Sequence, residues 1–210
     1  MLTGTLLQQV FPLCADPAGW ARALNPALQR YQINTRARLC SFLAQTGYES
    51  GQFNRLLESL NYKTAQRLMR VWPRRFPTEA VAIPYVGNER KLANFVYANR
   101  LGNGDSASDD GFRFRGRGII QITGRSNYAA VGKELDIDLI ADPERLLTQE
   151  MSALAAAWFW HSRGLNALAD DNTDDNDLED FTEITRRING GTVGIKERLL
   201  AFNAVDSRLA

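Results

Sequence analysis

One histidine, His161, and two cysteines, Cys14 and Cys40, are the chain's whole supply of imidazole and thiol metal ligands. They have no metal-ligand spacing, so neither a metal nor any other cofactor is expected. Two cysteines are too few for a disulfide framework. Buried thiols are the favoured reading, with a single bond formed after release as the alternative. His161 closes an apolar segment and reads as a helix-end residue rather than a ligand or base. Excess charge of either sign is also lacking: the formal net charge is +1. That gives no global case for nucleic-acid binding or for attraction to anionic membranes. No stretch approaches about 18 uncharged apolar residues, so no transmembrane helix is expected. Met1 to Phe11 has no basic start and Pro12 ends its apolar run. With no signal peptide expected, the protein should be kept in the cytoplasm until something releases it.

What remains is a soluble globular composition, 44% hydrophobic and 23% charged over 210 residues, which suits one domain with a sizeable core. The chain is organised around Ala44 to Asn54. Leu39, Cys40, Phe42 and Leu43 mark a helix with a buried face, Asn34 or Thr35 stands at its start, and Gly51 stands just past its end. Glu49 falls in its last turn and Glu58 follows nine residues later. One continuous helix would put the two carboxylates on opposite faces, roughly 13 Å apart along the axis. A turn at Ser50-Gly51 instead lets both face one cleft, as in inverting glycosidases, whose carboxyls stand roughly 6.5–9.5 Å apart with a water between base and sugar. The negative helix end and apolar packing favour protonated Glu49, the general acid. Glu58, beside Ser59, Asn61 and Lys63, is placed to stay ionised as the general base. Against this stands the plain reading of two solvated surface carboxylates.

The segments Phe42 to Gly51, Glu58, Tyr97 to Asn103, Phe114 to Gly124 and Ile188 to Gly191 occur in one order. Together they resemble glycoside hydrolase family 19, the chitinase family, and most of all its branch of phage endolysins and related bacterial muramidase-like proteins. The resemblance runs from about Asn25 to the C-terminus. It implies that Glu49 and Glu58 are catalytic, that Tyr97, Gln121 and Asn189 contact substrate, and that Arg198 supports the catalytic carboxylates. An arginine can do so with two parallel hydrogen bonds. Ile119 departs from the family, in which proline is frequent there, and this affects a turn rather than the chemistry.

Other stretches read as structure. Leu2, Leu6, Leu7 and Val10 form an apolar stripe, Asp16-Pro17 and Asn25-Pro26 look like two helix starts, and Trp20, Leu24, Leu28 and Tyr31 pack this section. Thr64 to Val71 reads as a helix bearing Arg67 and Arg70, with Lys63 before it and Arg74 and Arg75 after it. That basic run is a solvated face, or else a weak site for an acidic polymer such as peptidoglycan. Asn88 caps a helix through Ala98, and Leu101 to Gly111 is a loop, either a cleft rim or a connector. Phe112 to Gly124 alternates like a strand or hairpin. Its arginines and aromatics raise a nucleic-acid platform or phosphate loop, but no phosphate-loop signature or basic excess supports either. Ser126 caps a helix through Leu135, and Met151 to Trp160 reads as a buried central helix. The acidic Asp170 to Asp180 lacks the spacing of a calcium loop and reads as solvated. Leu178, Phe181, Ile184 and Ile188 are the expected inner stripe of the next helix. Ile195, Leu199, Leu200 and Phe202 are that of the last helix.

The expectation is a mainly helical, two-lobed lysozyme-like fold with a small β-hairpin element. It forms one catalytic domain, 1–210, with an N-terminal section, 1–33, packed on a core, 34–210. The expected function is inverting hydrolysis of β-1,4 bonds in peptidoglycan by a monomeric endolysin released from the host cytoplasm to the cell wall. Chitin or chitooligosaccharides are the alternative substrates, and a non-catalytic wall-binding or nucleic-acid module is the alternative of a different class. Neither a nucleic-acid partner nor stable membrane insertion is expected.

Overall fold

The computed structural model describes residues 1–170 and 177–209. Its helices, in chain order, are α1 (Gly4–Val10), α2 (Pro17–Arg30), α3 (Arg36–Glu49), α4 (Ala65–Val71), α5 (Glu79–Ala82), α6 (Glu89–Val96), α7 (Asp110–Arg113), α8 (Arg125–Leu135), α9 (Gln149–Ser162), α10 (Leu165–Ala169), α11 (Asp177–Asn189) and α12 (Ile195–Asp206). Among the described residues, β structure is confined to antiparallel bridges of Arg117 with Leu57 and with Ile122. The chain divides into two compact units. The first is Met1–Leu56, Gly118–Gln121 and Arg145–Ala210; the second is Leu57–Arg117 and Ile122–Glu144.

In the first unit α3 packs on α12, and α2 packs on α9. Thr35, not Asn34, caps α3 by accepting from the Arg38 amide. Trp20, Leu24, Leu28 and Tyr31 are buried as expected. Asn25-Pro26 does not start a second helix, because α2 runs through it. The Asn25 amide is used elsewhere: its Oδ1 accepts from the Leu2 N–H and its Nδ2 donates to the Leu2 carbonyl, both at 2.9 Å. A tether to the N-terminus thus takes the side chain that would have capped. α9 is the buried element expected, with Ala153, Ala155, Ala156, Ala157 and Trp160 all nearly inaccessible. Leu178 and Leu200 are exposed rather than inward. The face of α12 that turns in carries buried Arg198 and Val205, with the expected Phe202 packed against the core beside them. Both thiols are free and buried. Burial, with the nearby Asp206 carboxylate, pushes the Cys40 thiol up to about 12, so thiolate chemistry is suppressed.

In the second unit Leu60, Leu68, Phe76, Leu92 and Val96 form a separate core. Asn88 caps α6, which ends at Val96, short of Ala98. Ser126 is not the cap of α8; that place is taken by Gly124, at φ 89°. Of the strand or hairpin expected over Phe112 to Gly124, the antiparallel Arg117–Ile122 pairing forms, but the Phe112 end is helical. Phe114 N–H closes a helical turn on the Asp110 carbonyl at 2.8 Å, and Gly111 lies so close to the α6 backbone that a Cβ would sit 2.5 Å from the Ala93 carbonyl oxygen. Phe112 is held between Arg90 and Arg115, whose guanidinium carbons lie 5.3 and 4.0 Å from its ring centre. Packing against α6 therefore outweighs the alternating pattern. The loop before α7 is closed by its own acids: Asp105 Oδ1 accepts from the Ala107 and Ser108 amides, and Asp110 Oδ2 from the Gly104 amide.

The acidic-loop reading of Asp170 to Asp180 lies largely outside the described residues.

Candidate active site

Glu49 is the last residue of α3. The helix stops in a Schellman turn, with Gln52 N–H donating to the Gly47 carbonyl at 2.6 Å and Gly51 N–H to Tyr48 at 3.2 Å. Gly51, Gln52 and Phe53 then all have positive φ, 57°, 60° and 66°, so the chain turns sharply away at the expected break. Two non-glycine residues hold this conformation because their side chains are tied down. Phe53 is buried with its ring centre 5.2 Å from that of Phe11 and 5.3 Å from that of Trp20. Gln52 Oε1 accepts from the Leu13 amide at 2.9 Å. The N-terminal section thus fixes the turn that follows the candidate acid.

Arg198 of α12 is buried beneath Glu49 and is shared among three acceptors. Its Nη2 donates to Glu49 Oε1, its Nη1 to Gln45 Oε1 at 2.5 Å, and its Nε to the Val193 carbonyl at 3.2 Å. The expected two-bond fork on one carboxylate is therefore split between Glu49 and Gln45. Gln45 in turn donates to Thr185 Oγ1 at 2.8 Å, and Thr185 to the Phe181 carbonyl. The Arg198 guanidinium also lies over the Tyr48 ring, 4.2 Å from its centre. Tyr48 in turn fills the space where Gly194, at φ 74°, would otherwise carry a side chain, so a substitution there would be strained and would displace Tyr48.

Glu58 has different partners. Its Oε1 accepts from the Tyr97 hydroxyl at 2.7 Å and its Oε2 from the Gly116 amide at 3.0 Å. The Glu58 amide also donates to the Gly116 carbonyl at 2.9 Å, so backbone and side chain are fixed to one residue. Burial first, then the negative charge of Glu58, pushes the Tyr97 phenol far above its ordinary value, which keeps it a donor. Gly116 is positioned in turn by Arg117, 1% exposed. That guanidinium donates to the Arg113 carbonyl at 2.7 Å and the Tyr128 hydroxyl at 2.9 Å, and pairs with Glu144.

Gln121 lies in the turn from Gly118, at φ 54°, and its Nε2 donates to the Gly118 carbonyl at 2.9 Å. Asn189 is exposed at the end of α11, where its Oδ1 accepts from the Gly191 amide at 2.7 Å and Gly190, at φ 77°, completes the stop. The structure therefore joins Arg198 to Glu49 and Tyr97 to Glu58. Gln121 and Asn189 hydrogen-bond to backbone in their own turns.

A family model described as chitinase class I, of glycoside hydrolase family 19, matches residues 80–192. A glycosyl hydrolase family 19 domain-containing protein of Haemophilus influenzae is 37% identical over 206 residues, 98% of this chain and 96% of its own length. The chain belongs to glycoside hydrolase family 19. It is accordingly a glycoside hydrolase. An endochitinase of Arabidopsis thaliana is 33% identical over 106 residues, 47% of this chain but 34% of its own length. The fold is that of chitinase C from Streptomyces griseus, with a TM-score of 0.64 at 18% identity over 99% of this chain and 92% of that one. A second bacterial family 19 chitinase aligns with a TM-score of 0.59 at 20% identity, covering 100% and 95% of the two chains.

Sequence reasoning missed Gln45, Thr185 and Gly116. Gln45 carried a usable signal, since a polar side chain on the buried face of α3, one turn before Glu49, needs a partner. Gly116 lay in the Phe114 to Gly124 segment, but its partner Glu58 was not readable, and Thr185 had no signal, because each acts on a residue far away in sequence.

Proposed function

We propose that this glycoside hydrolase cuts β-1,4 bonds of peptidoglycan by inversion, with Glu49 as general acid and Glu58 as general base. The observation that carries this reading is the restraint on Glu58. Both its oxygens are engaged, one by a phenol and one by a backbone amide, which is how a base is held in one orientation for proton transfer. Glu49 is held by the buried Arg198. In the proposed reaction the Glu49 carboxyl gives its proton to the glycosidic oxygen as the C1–O bond breaks. Glu58 takes a proton from the water whose oxygen bonds to C1 on the opposite face. Two protons and one water are thereby accounted for, and the carboxyls return to their starting states by exchange with solvent.

Peptidoglycan is favoured by the resemblance of the ordered set of segments, from Phe42 to Gly51 through Ile188 to Gly191, to the lysin branch. In that role the enzyme acts after release from the cytoplasm to the wall. Chitin is the second reading, favoured because endochitinases share the matched region. The test is to digest purified peptidoglycan and chitohexaose in parallel and read the new reducing ends by mass spectrometry. Release of disaccharide units from peptidoglycan, lost in both Glu49→Gln and Glu58→Gln, is the expected result. Cleavage of chitohexaose alone replaces the substrate. Wall binding without cleavage of either glycan makes the chain a non-catalytic module.

A further inference from the structure

From Ser59 to Thr78 the chain carries Lys63, Arg67, Arg70, Arg74 and Arg75 and no acidic residue. Thr64 caps α4 and its buried side is Ala65 and Leu68, which sends Arg67 and Arg70, three apart and on one face, to the surface. Lys63, Arg67, Arg70 and Arg74 are all exposed. Among the described residues none of these four is in an ion pair, whereas Arg36, Arg38, Arg90, Arg117, Arg125 and Arg198 are each in one. The nearest acid along the chain beyond the run, Glu79, accepts from the Gln66 amide instead. Arg75 alone is drawn in, its guanidinium 5.7 Å from the Phe95 ring centre.

The run begins five residues after Glu58 in the same unit. Tyr62 stands between the two in sequence: burial first, and then the Glu58 charge, raise its phenol, and the Arg67 charge lowers it. Its ring packs edge-on against Trp72 at 5.2 Å, giving the cations a stiff apolar footing. A surface of this kind, with four exposed cations near a base that works on a polymer, complements a polymer bearing repeated negative groups.

We propose that the Lys63–Arg67–Arg70–Arg74 surface binds the carboxylates of peptidoglycan stem peptides and so holds the glycan strand on the unit that carries Glu58. This rests on the peptidoglycan reading for its occupant but not on Glu49 or Glu58 for its chemistry. It separates retention on the wall from cleavage. Each exposed charge pair contributes little, so two reversals should weaken binding roughly fivefold to tenfold, and salt should screen it.

The experiment is co-sedimentation with purified, insoluble peptidoglycan, comparing the full chain with Arg67→Glu/Arg70→Glu at low and about 0.5 M salt. Chitohexaose hydrolysis is measured alongside as a neutral readout of the active site, and circular dichroism as a readout of folding. A second preparation, with its carboxylates amidated by carbodiimide, serves as the uncharged probe. Expected are salt-sensitive sedimentation of the parent, loss of it in the variant or on the amidated wall, and unchanged turnover of any neutral oligosaccharide the enzyme accepts. Should the variant misfold, the parent on the amidated wall gives the same answer alone. Equal sedimentation with native and amidated walls overturns the proposal, as does salt-sensitive binding to duplex DNA or anionic vesicles without binding to the wall. Sedimentation that follows the charges while the wall goes uncut would sink the peptidoglycanase reading and leave this surface standing.

Discussion

The Tyr97 hydroxyl donates to Glu58 Oε1 at 2.7 Å. Tyr97 was expected among the substrate contacts, and its structural role is to orient a carboxylate. The two roles separate kinetically. Tyr97→Phe removes one hydrogen bond to a charged group, about 1.5–3 kcal/mol, so turnover should fall roughly tenfold to a hundredfold with KM little changed. A rise in KM at unchanged kcat would return Tyr97 to substrate binding.

Arg198, Gln45 and Thr185 form one buried chain of donors and acceptors ending at Glu49. Thr185→Val keeps the shape but leaves the Gln45 amide unpaired, which should destabilise the protein by about 1–3 kcal/mol in urea unfolding. Arg198→Met strips the partner from both Gln45 and Glu49 and should cost more, about 3–5 kcal/mol. Losses that simply add in the double variant Thr185→Val/Arg198→Met would mean that the chain does not act as a network.

How much of this was visible beforehand depended on the range of the interaction. The stop after Glu49 was legible because it is local: Gly51 supplies a left-handed residue where the apolar pattern ends. The buried centre at α9 was legible from its run of alanines and aromatics. Phe112 was misread because period-two alternation over four residues cannot register that Gly111 backs onto Ala93 of α6. Asn25-Pro26 was misread for a similar reason, since the capping side chain is claimed by Leu2, 23 positions away. Glu49 and Glu58 stood out by motif, and so did Arg198 and Tyr97, whereas the support that Gly116 and Arg117 give Glu58 is defined only by tertiary contact.

Ile119 stands where the family often has proline, and the structure gives that change a consequence. Its amide donates to Ser152 Oγ at 2.8 Å, with both residues buried, and a proline has no such proton. Ser152→Ala should therefore leave an unpaired amide and cost about 1–3 kcal/mol. Faster hydrogen exchange at the Ile119 amide should accompany the loss. Unchanged exchange would mean that the amide finds another acceptor.

Asp109 pairs with Arg90 and accepts from Asn94 at 2.8 Å. The Arg90 hydrogen bond comes first among the causes that bring its carboxyl from 3.8 down to about 2. A lowered carboxyl stabilises the fold at pH above its ordinary value, and that contribution is lost as pH falls from about 4 towards about 2. Asp109→Asn keeps a residue that tolerates the left-handed backbone here. Its thermal midpoint should therefore depend less steeply on pH over that window than the parent's. Parallel curves would show that the pair contributes nothing to acid stability.

The stereochemistry of the product tests the proposed roles of the two carboxylates most directly. A base that activates water on the face opposite the leaving group gives inversion, whereas a carboxylate that attacks C1 itself gives retention through a covalent intermediate. Glu58 is held at both oxygens, by Tyr97 and Gly116, and each oxygen keeps a second lone pair that can take the proton of a water. Inversion is the expected outcome, with β-linked substrate giving α product before mutarotation. Proton NMR of a soluble oligosaccharide during the first minutes of turnover reads the anomer directly. Initial β product would remove Glu58 from the role of base and point to retention or to participation by the substrate's own acetamido group.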